Sequence, residues 1–185
     1  MQRIFAAIKI VPDEELIKLL KRLQTALANE KIKWVELWNL HITLKFFGET
    51  PEEKVLQIAK TLESIDAPAA FTLQCSDLGI FGSTYKPRVI WLGINDHKQL
   101  AQLGNEISHA IQPLGYEPDR QNFVPHLTLG RINFLNDKKY FQQIISANRS
   151  FSSVPQPVSA YHLYESKLKQ SGPEYSIIKS YGLGN

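Results

Sequence analysis

In residues 39–48, Asn-Leu-His-Ile-Thr-Leu-Lys-Phe-Phe-Gly, apolar and polar positions alternate. A strand there puts Leu40, Ile42, Leu44 and Phe46 on one face and His41, Thr43 and Lys45 on the other. The same frame returns in residues 124–130, Val-Pro-His-Leu-Thr-Leu-Gly, where His126 and Thr128 alternate with Leu127 and Leu129. A helical period replaces the strand period in four places. Asp13 opens a helix through Leu16, Leu19, Leu20, Leu23 and Leu27, and residues 51–64 repeat the spacing with Val55, Ile58, Ala59 and Leu62. A third helix, capped by Asn95 or Asp96, runs through Leu100, Leu103, Ile107 and Ile111, and a fourth spans 137–147 with Tyr140, Phe141, Ile144 and Ile145. Apolar runs at 3–8 and 88–94 predict strands, as do extended segments at 71–80, 158–167 and 175–181, and Lys33-Trp34-Val35 with a turn leads into the strand of His41. Residues 170–173 read as a hairpin turn, and Pro155 and Pro157 as an ordinary loop.

These elements repeat. Arg3 precedes His41 by 38 residues, and Arg88 precedes His126 by 38. The order strand, helix, strand, helix, strand occurs twice, in units starting near residues 3 and 88. The pattern predicts an α+β fold, a single bilobal domain over 1–185 whose duplicated strand-helix-strand units form two antiparallel-rich sheets lining a central cleft, with helices packed outside. A duplication of this size packs about a pseudo-two-fold axis, which brings both His-Thr faces onto the shared cleft.

Composition narrows the class. At 185 residues and 43% hydrophobic content the chain can bury one substantial core. Cys75 is the only cysteine, which rules out an internal disulfide or a zinc ribbon and suits a reducing cytosol. The apolar stretch at the N-terminus is interrupted by Lys9 and has no small-residue cleavage site. No uncharged apolar run approaches the roughly 18 residues of a membrane span. A cytoplasmic protein with no membrane partner is expected, and a monomer, because no exposed apolar stripe demands a partner. The net charge of +3 is unevenly spread: residues 1–119 hold 13 basic and 15 acidic side chains, residues 120–185 hold 8 and 3. That basic last third can attract a phosphate-bearing ligand or be an ordinary solvated surplus.

The chemistry rests on the paired motifs. With 5 His and 7 Thr in the chain, His-x-Thr is expected by chance only ~0.2 times. Histidine titrates near neutrality, so one imidazole can be neutral while another is protonated. That pair is what metal-free cleavage of a phosphodiester requires: a base for the attacking oxygen and an acid for the departing one. In-line displacement separates those oxygens, so the histidines must come from opposite walls of a cleft. Thr43 and Thr128, one pleat repeat along, can donate to the non-bridging oxygens. Neither motif brings the further ligands a metal site needs, and no G-x-S-x-G is present for a serine hydrolase. A purely structural pair of buried histidines is the bland alternative. His97 and His109 read as surface residues, and His162 as more structural than cleft-lining. Trp34 and Trp38 are candidates to stack on a base, whereas Trp91, inside an apolar strand, reads as core. Arg131 follows the second motif, but strict alternation puts it on the face opposite His126 unless the strand ends or bulges there.

His41-Ile42-Thr43-Leu44 and His126-Leu127-Thr128-Leu129 together resemble the signature of the two-histidine phosphoesterases. With residues 39–48, 87–91, 125–131 and 163–175, nearly the whole chain resembles the LigT/ThpR group, the RNA 2′,3′-cyclic phosphodiesterases once called 2′-5′ RNA ligases. The resemblance implies a bilobal α+β fold, no metal or other cofactor, and hydrolysis of a terminal 2′,3′-cyclic phosphate on RNA ends or nucleotides to a 2′-phosphate. It also implies a possible reverse 2′-5′ joining. Carried over by motif order, His41 is the proton donor and His126 the proton acceptor; the near symmetry of the repeat does not by itself choose between them. Lys45, Phe123, Arg131 and Tyr164 fit the family pattern as substrate-binding residues. The competing class is an RNA-end or nucleotide binding protein without turnover, against which intact His and Thr in both motifs argue.

Overall fold

Two antiparallel sheets meet along a shared cleft in the computed structural model, which describes residues 1–95, 98–117, 124–170 and 172–184. In chain order the elements are β1 (Gln2–Lys9), α1 (Glu14–Ala26), β2 (Lys31–Trp34), β3 (His41–Thr50), α2 (Glu52–Glu63), β4 (Phe71–Gly82), β5 (Pro87–Asn95), α3 (Lys98–Ala110), β6 (His126–Phe134), α4 (Lys138–Ala147), β7 (Gln156–Val158), β8 (Ala160–Lys169) and β9 (Gly172–Gly182). Short 3-10 turns occupy Leu37–Asn39 and Gln112–Leu114. One sheet has the order β3-β1-β8-β9 and the other β2-β6-β5-β4-β7. The α+β arrangement follows the hydrophobic pattern closely.

Two features do not follow from the pattern. The last strands of each sequence unit cross to the other unit's sheet: β4 pairs with β5, while β8, itself paired with β9, pairs with β1. Neither half of the chain completes a sheet alone. The stretch around Pro157, expected as loop, adds β7 along Phe71–Leu73. Pro157 lacks an N–H, and an outermost strand is where a sheet tolerates that loss. The repeat is also one residue out of step on its leading strands. Lys9 lies opposite His41 and Gly93 opposite His126, so the strands opposite the motifs are 84 positions apart while the histidines are 85 apart.

One continuous core lies on the side of the sheets away from the cleft. It joins Ile4, Ala6 and Ile8 of β1, Ile42 and Leu44 of β3, Leu127 and Leu129 of β6, and the apolar stripes of all four helices. Asp13 caps α1, accepting from Leu16 N at 2.7 Å, and Asp137 caps α4, accepting from Tyr140 N at 2.9 Å. At the far end of α2, carbonyls accept from buried tyrosines: Tyr161 Oη donates at 2.7 Å to Leu62 O, one of the last four that a helix leaves unpaired, and Tyr181 Oη donates to Ala59 O at 3.0 Å. Burial raises both phenols, that of Tyr181 to about 12. Burial likewise pushes the Cys75 thiol up to about 12, which makes it a small core residue rather than a nucleophile.

Asp13 has a second task. Its other carboxylate oxygen accepts from Val154 N, tying the start of α1 to the loop before β7. Asp13→Ala is therefore expected to cost about 1–2 kcal/mol. In a chain of this size that lowers Tm by roughly 2–8 °C, and thermal unfolding beside wild type checks it.

Candidate active site

The paired motifs begin β3 and β6, and both strands carry a bulge at the same place. Opposite Ala7 and Ala6 of β1 stand Thr43 and Lys45, with Leu44 as the extra residue; opposite Trp91 and Ile90 of β5 stand Thr128 and Gly130, with Leu129 extra. A bulge reverses the faces beyond it. His41, Thr43 and Phe46 therefore share the cleft face of β3, and His126, Thr128 and Arg131 that of β6. This corrects two expectations from alternation. Phe46, placed with the core residues, is 52% exposed in the cleft beside Phe5. Lys45, placed with the histidine, is 4% exposed, and its Nζ donates to Glu117 O at 3.2 Å on the core side of β3. The bulge that Arg131 required is present, and Arg131 borders the cleft. Gly130 leaves little room for a side chain, since a Cβ would lie 3.0 Å from both Ile32 Cγ2 and Trp34 Cε3 of the neighbouring β2, which would have to give way.

Both imidazoles are held alike. His41 Nδ1 lies 2.6 Å from Asn39 O, and His126 Nδ1 lies 2.8 Å from Val124 O. A carbonyl can only accept, so each Nδ1 carries a proton and each Nε2 is the nitrogen left for chemistry. Each ring also meets an aromatic edge, Tyr175 at 5.2 Å for His41 and Phe81 at 4.8 Å for His126. Burial lowers the His41 pKa against the bond to Asn39, which raises it; the charges of Arg131 and His126 lower it further. Under His41 a small hydrophobic cluster of Phe5, Ala7 and Tyr164, with Tyr175 against it, forms the floor.

The cleft has a volume of about 2000 Å³ and draws its lining from both sheets. Both histidines and both threonines line it, as do Arg3, Lys33, Lys45, Lys86, Arg88 and Arg131, against only Glu36 and Glu174 among the described residues. Low-dielectric walls focus such a field and favour anions. Its cations come mostly from the first half of the chain. Among the described residues, the basic surplus of the last third contributes only Arg131.

Other expected residues lie elsewhere. Tyr164 is 7% exposed and stacks on Phe5 at 5.2 Å and 16°, below the cleft rather than lining it. Phe123 and His97 lie outside the described residues. His109 is exposed on α3. His162 faces the same side as Ala7 but bonds Ser180 Oγ at 2.8 Å and does not line the cleft. Trp38 lines the cleft mouth and Trp34 its wall. Trp91, expected in the core, is instead half-buried and stacks on Phe81 at 4.9 Å behind His126. Among the described residues, no three His, Cys, Asp or Glu side chains are grouped to hold a metal ion, and no helix is long and apolar enough to cross a membrane.

Sequence reasoning passed over Asn39, Phe46, Tyr175 and Phe81. Phe46 left a trace: with Phe47 it forms an adjacent aromatic pair that one face of a regular strand cannot hold.

The model of the LigT-like phosphoesterases matches the chain twice, over residues 8–91 and 92–175. The chain is 33% identical to the RNA 2′,3′-cyclic phosphodiesterase of Methanocaldococcus jannaschii over 179 residues, 97% of this chain and 99% of that protein. It is 31% identical to the protein of the same name from Aquifex aeolicus, over 82% of each chain. Among solved structures it is similar to E. coli LigT complexed with 3′-AMP, with a TM-score of 0.76 and 26% identity over 100% of this chain and 99% of that one.

Proposed function

Because the chain belongs to the LigT-like phosphoesterase family, we propose that it is an RNA 2′,3′-cyclic phosphodiesterase whose two histidines act as acid and base. The observation that carries the reading is the matched pair itself: two imidazoles with Nδ1 on a backbone carbonyl and Nε2 free, in one cation-lined cleft. In the reaction, His126 Nε2 takes a proton from water as the water oxygen attacks phosphorus. The P–O3′ bond breaks on the opposite side, and His41 Nε2–H gives its proton to O3′. The products are a 2′-phosphate and a 3′-hydroxyl; one proton has passed from His41 to solvent-exchangeable product and another has arrived on His126, so exchange with water resets the site. Thr43, Thr128 and Arg131 hold the non-bridging oxygens, whose charge grows in the transition state. Phe46 gives the terminal base a platform.

Burial and neighbouring positive charge make protonated His41 a stronger acid than an ordinary histidine, which favours donation to an alkoxide. The negative phosphate entering the cleft opposes that shift and helps keep His41 protonated. Reversal of the same steps gives a weak 2′-5′ joining activity.

We further take the 185 residues as a single bilobal domain built on an internal pseudo-two-fold, and as a cytoplasmic monomer. The reciprocal strand exchange supports the first reading, and the lone buried Cys75 suits a reducing compartment.

The direct test is hydrolysis of an oligoribonucleotide ending in a 2′,3′-cyclic phosphate, with and without excess EDTA. Turnover to a 2′-phosphate, unchanged by EDTA, is the expected result. A 3′-phosphate product, or loss of turnover in EDTA, would overturn it.

A further inference from the structure

The hairpin between β8 and β9 reaches out of its own sheet. Gly172 lies near the Lys33 side chain of β2, and Pro173 O accepts a hydrogen bond from Asn39 Nδ2 at 2.9 Å. Asn39 is 8% exposed, and its own carbonyl is the acceptor for His41 Nδ1–H. Two residues beyond Pro173, Tyr175 sets its ring edge-on to His41 at 5.2 Å and 89°, and to Phe5 at 5.0 Å and 73°. One buried side chain thus joins the carbonyl that fixes the imidazole's tautomer to the hairpin that limits its rotation. The arrangement at His126 differs: its carbonyl partner, Val124, is 55% exposed, and its aromatic edge comes from Phe81 on β4.

We propose that Asn39 is a positioning residue for His41, acting through Pro173 and Tyr175 of the β8–β9 hairpin. The amide holds the hairpin tip against the 3-10 turn, the tip holds Tyr175, and Tyr175 and the Asn39 carbonyl together hold the ring. Its effect on turnover rests on the two-histidine reading above; its effect on the ring does not.

Two measurements separate these. In long-range proton–nitrogen NMR spectra of the free protein, His41 is expected as the Nδ1–H tautomer in wild type and as a mixture of tautomers in Asn39→Leu and Tyr175→Ala, with His126 unchanged. Leucine keeps the branching of the asparagine side chain and removes its hydrogen-bonding groups, the donor to Pro173 O among them, and Tyr175→Phe, which keeps the ring edge, is expected to retain the wild-type spectrum. In turnover, Asn39→Leu and Tyr175→Ala are each expected to lower kcat about 10- to 100-fold with KM nearly unchanged, because misplacing a reacting group by about 1 Å costs on that order. The double variant is expected to be no slower than about the worse single, since both act on one ring. An unchanged His41 tautomer in both single variants, or losses that multiply in the double variant, would overturn the proposal. A wild-type protein without cyclic phosphodiesterase activity but with the expected spectra would sink the functional reading and leave the positioning role standing.

Discussion

Replacing either His41 or His126 with alanine is expected to lower kcat/KM on a 2′,3′-cyclic phosphate RNA end by about 10²- to 10⁴-fold, the usual worth of one general acid or base. Both rings stand in one cleft with Nδ1 engaged by a carbonyl and Nε2 free, so each loss removes a proton-transfer group without emptying the core. The two losses are not expected to multiply. Once one proton transfer has failed, the other has less to assist, and the double variant should fall little below the worse single variant. Steady-state rates for the three variants, beside their melting temperatures, check this. Equal stability with wild-type turnover in either single variant would remove that histidine from the mechanism.

Arg131→Gln is expected to have two effects. It removes the charged donor proposed to hold the phosphate, and a hydrogen bond to a charged group is worth about 1.5–3 kcal/mol, so kcat/KM should fall by roughly 10- to 150-fold. It also removes a positive charge that lowers the His41 pKa. A neighbouring cation disfavours the protonated imidazole, so its loss raises that pKa, and the group stays protonated to higher pH. The wild-type profile of kcat/KM against pH should therefore contain one limb below the ordinary histidine value of about 6.5. In Arg131→Gln that limb should move to higher pH. A fall in rate with no movement of either limb would show that Arg131 serves the phosphate alone.

Much of this site was legible in the sequence. The period-2 runs around His41 and His126 placed each His and Thr on one face of a strand, and the matched lead-ins placed the strands in a duplicated fold. What alternation could not show was the bulge at Leu44 and Leu129. A bulge is set by the register of the opposite strand, here Ala6–Ala7 and Ile90–Trp91, and leaves the local pattern of apolar residues almost unchanged. It carried Phe46 and Arg131 into the cleft and turned the Lys45 ammonium away to Glu117 O, although Lys45 still contributes to the lining. The same limit explains Trp91, whose apolar neighbours suggest core, although the residue opposite it, Thr128, faces the cleft. Long-range choices were hidden too. The exchange of β4 and β8 between sheets brought Phe81 to His126 and Tyr175 to His41, and nothing within either segment records which sheet it joins. Asn39 reads as an ordinary residue before a strand until Pro173, 134 positions away, is placed beside it.

The assignment of acid and base is tested most directly by a substrate with sulfur in place of the bridging 3′ oxygen of the cyclic phosphate. A thiolate, with a pKa near about 8.5, leaves without a proton, so the general acid becomes unnecessary. The account predicts that His41→Ala hydrolyses this substrate at close to the wild-type rate, while His126→Ala remains slowed by its full 10²- to 10⁴-fold. Restoration of His126→Ala instead, or of neither variant, would contradict it.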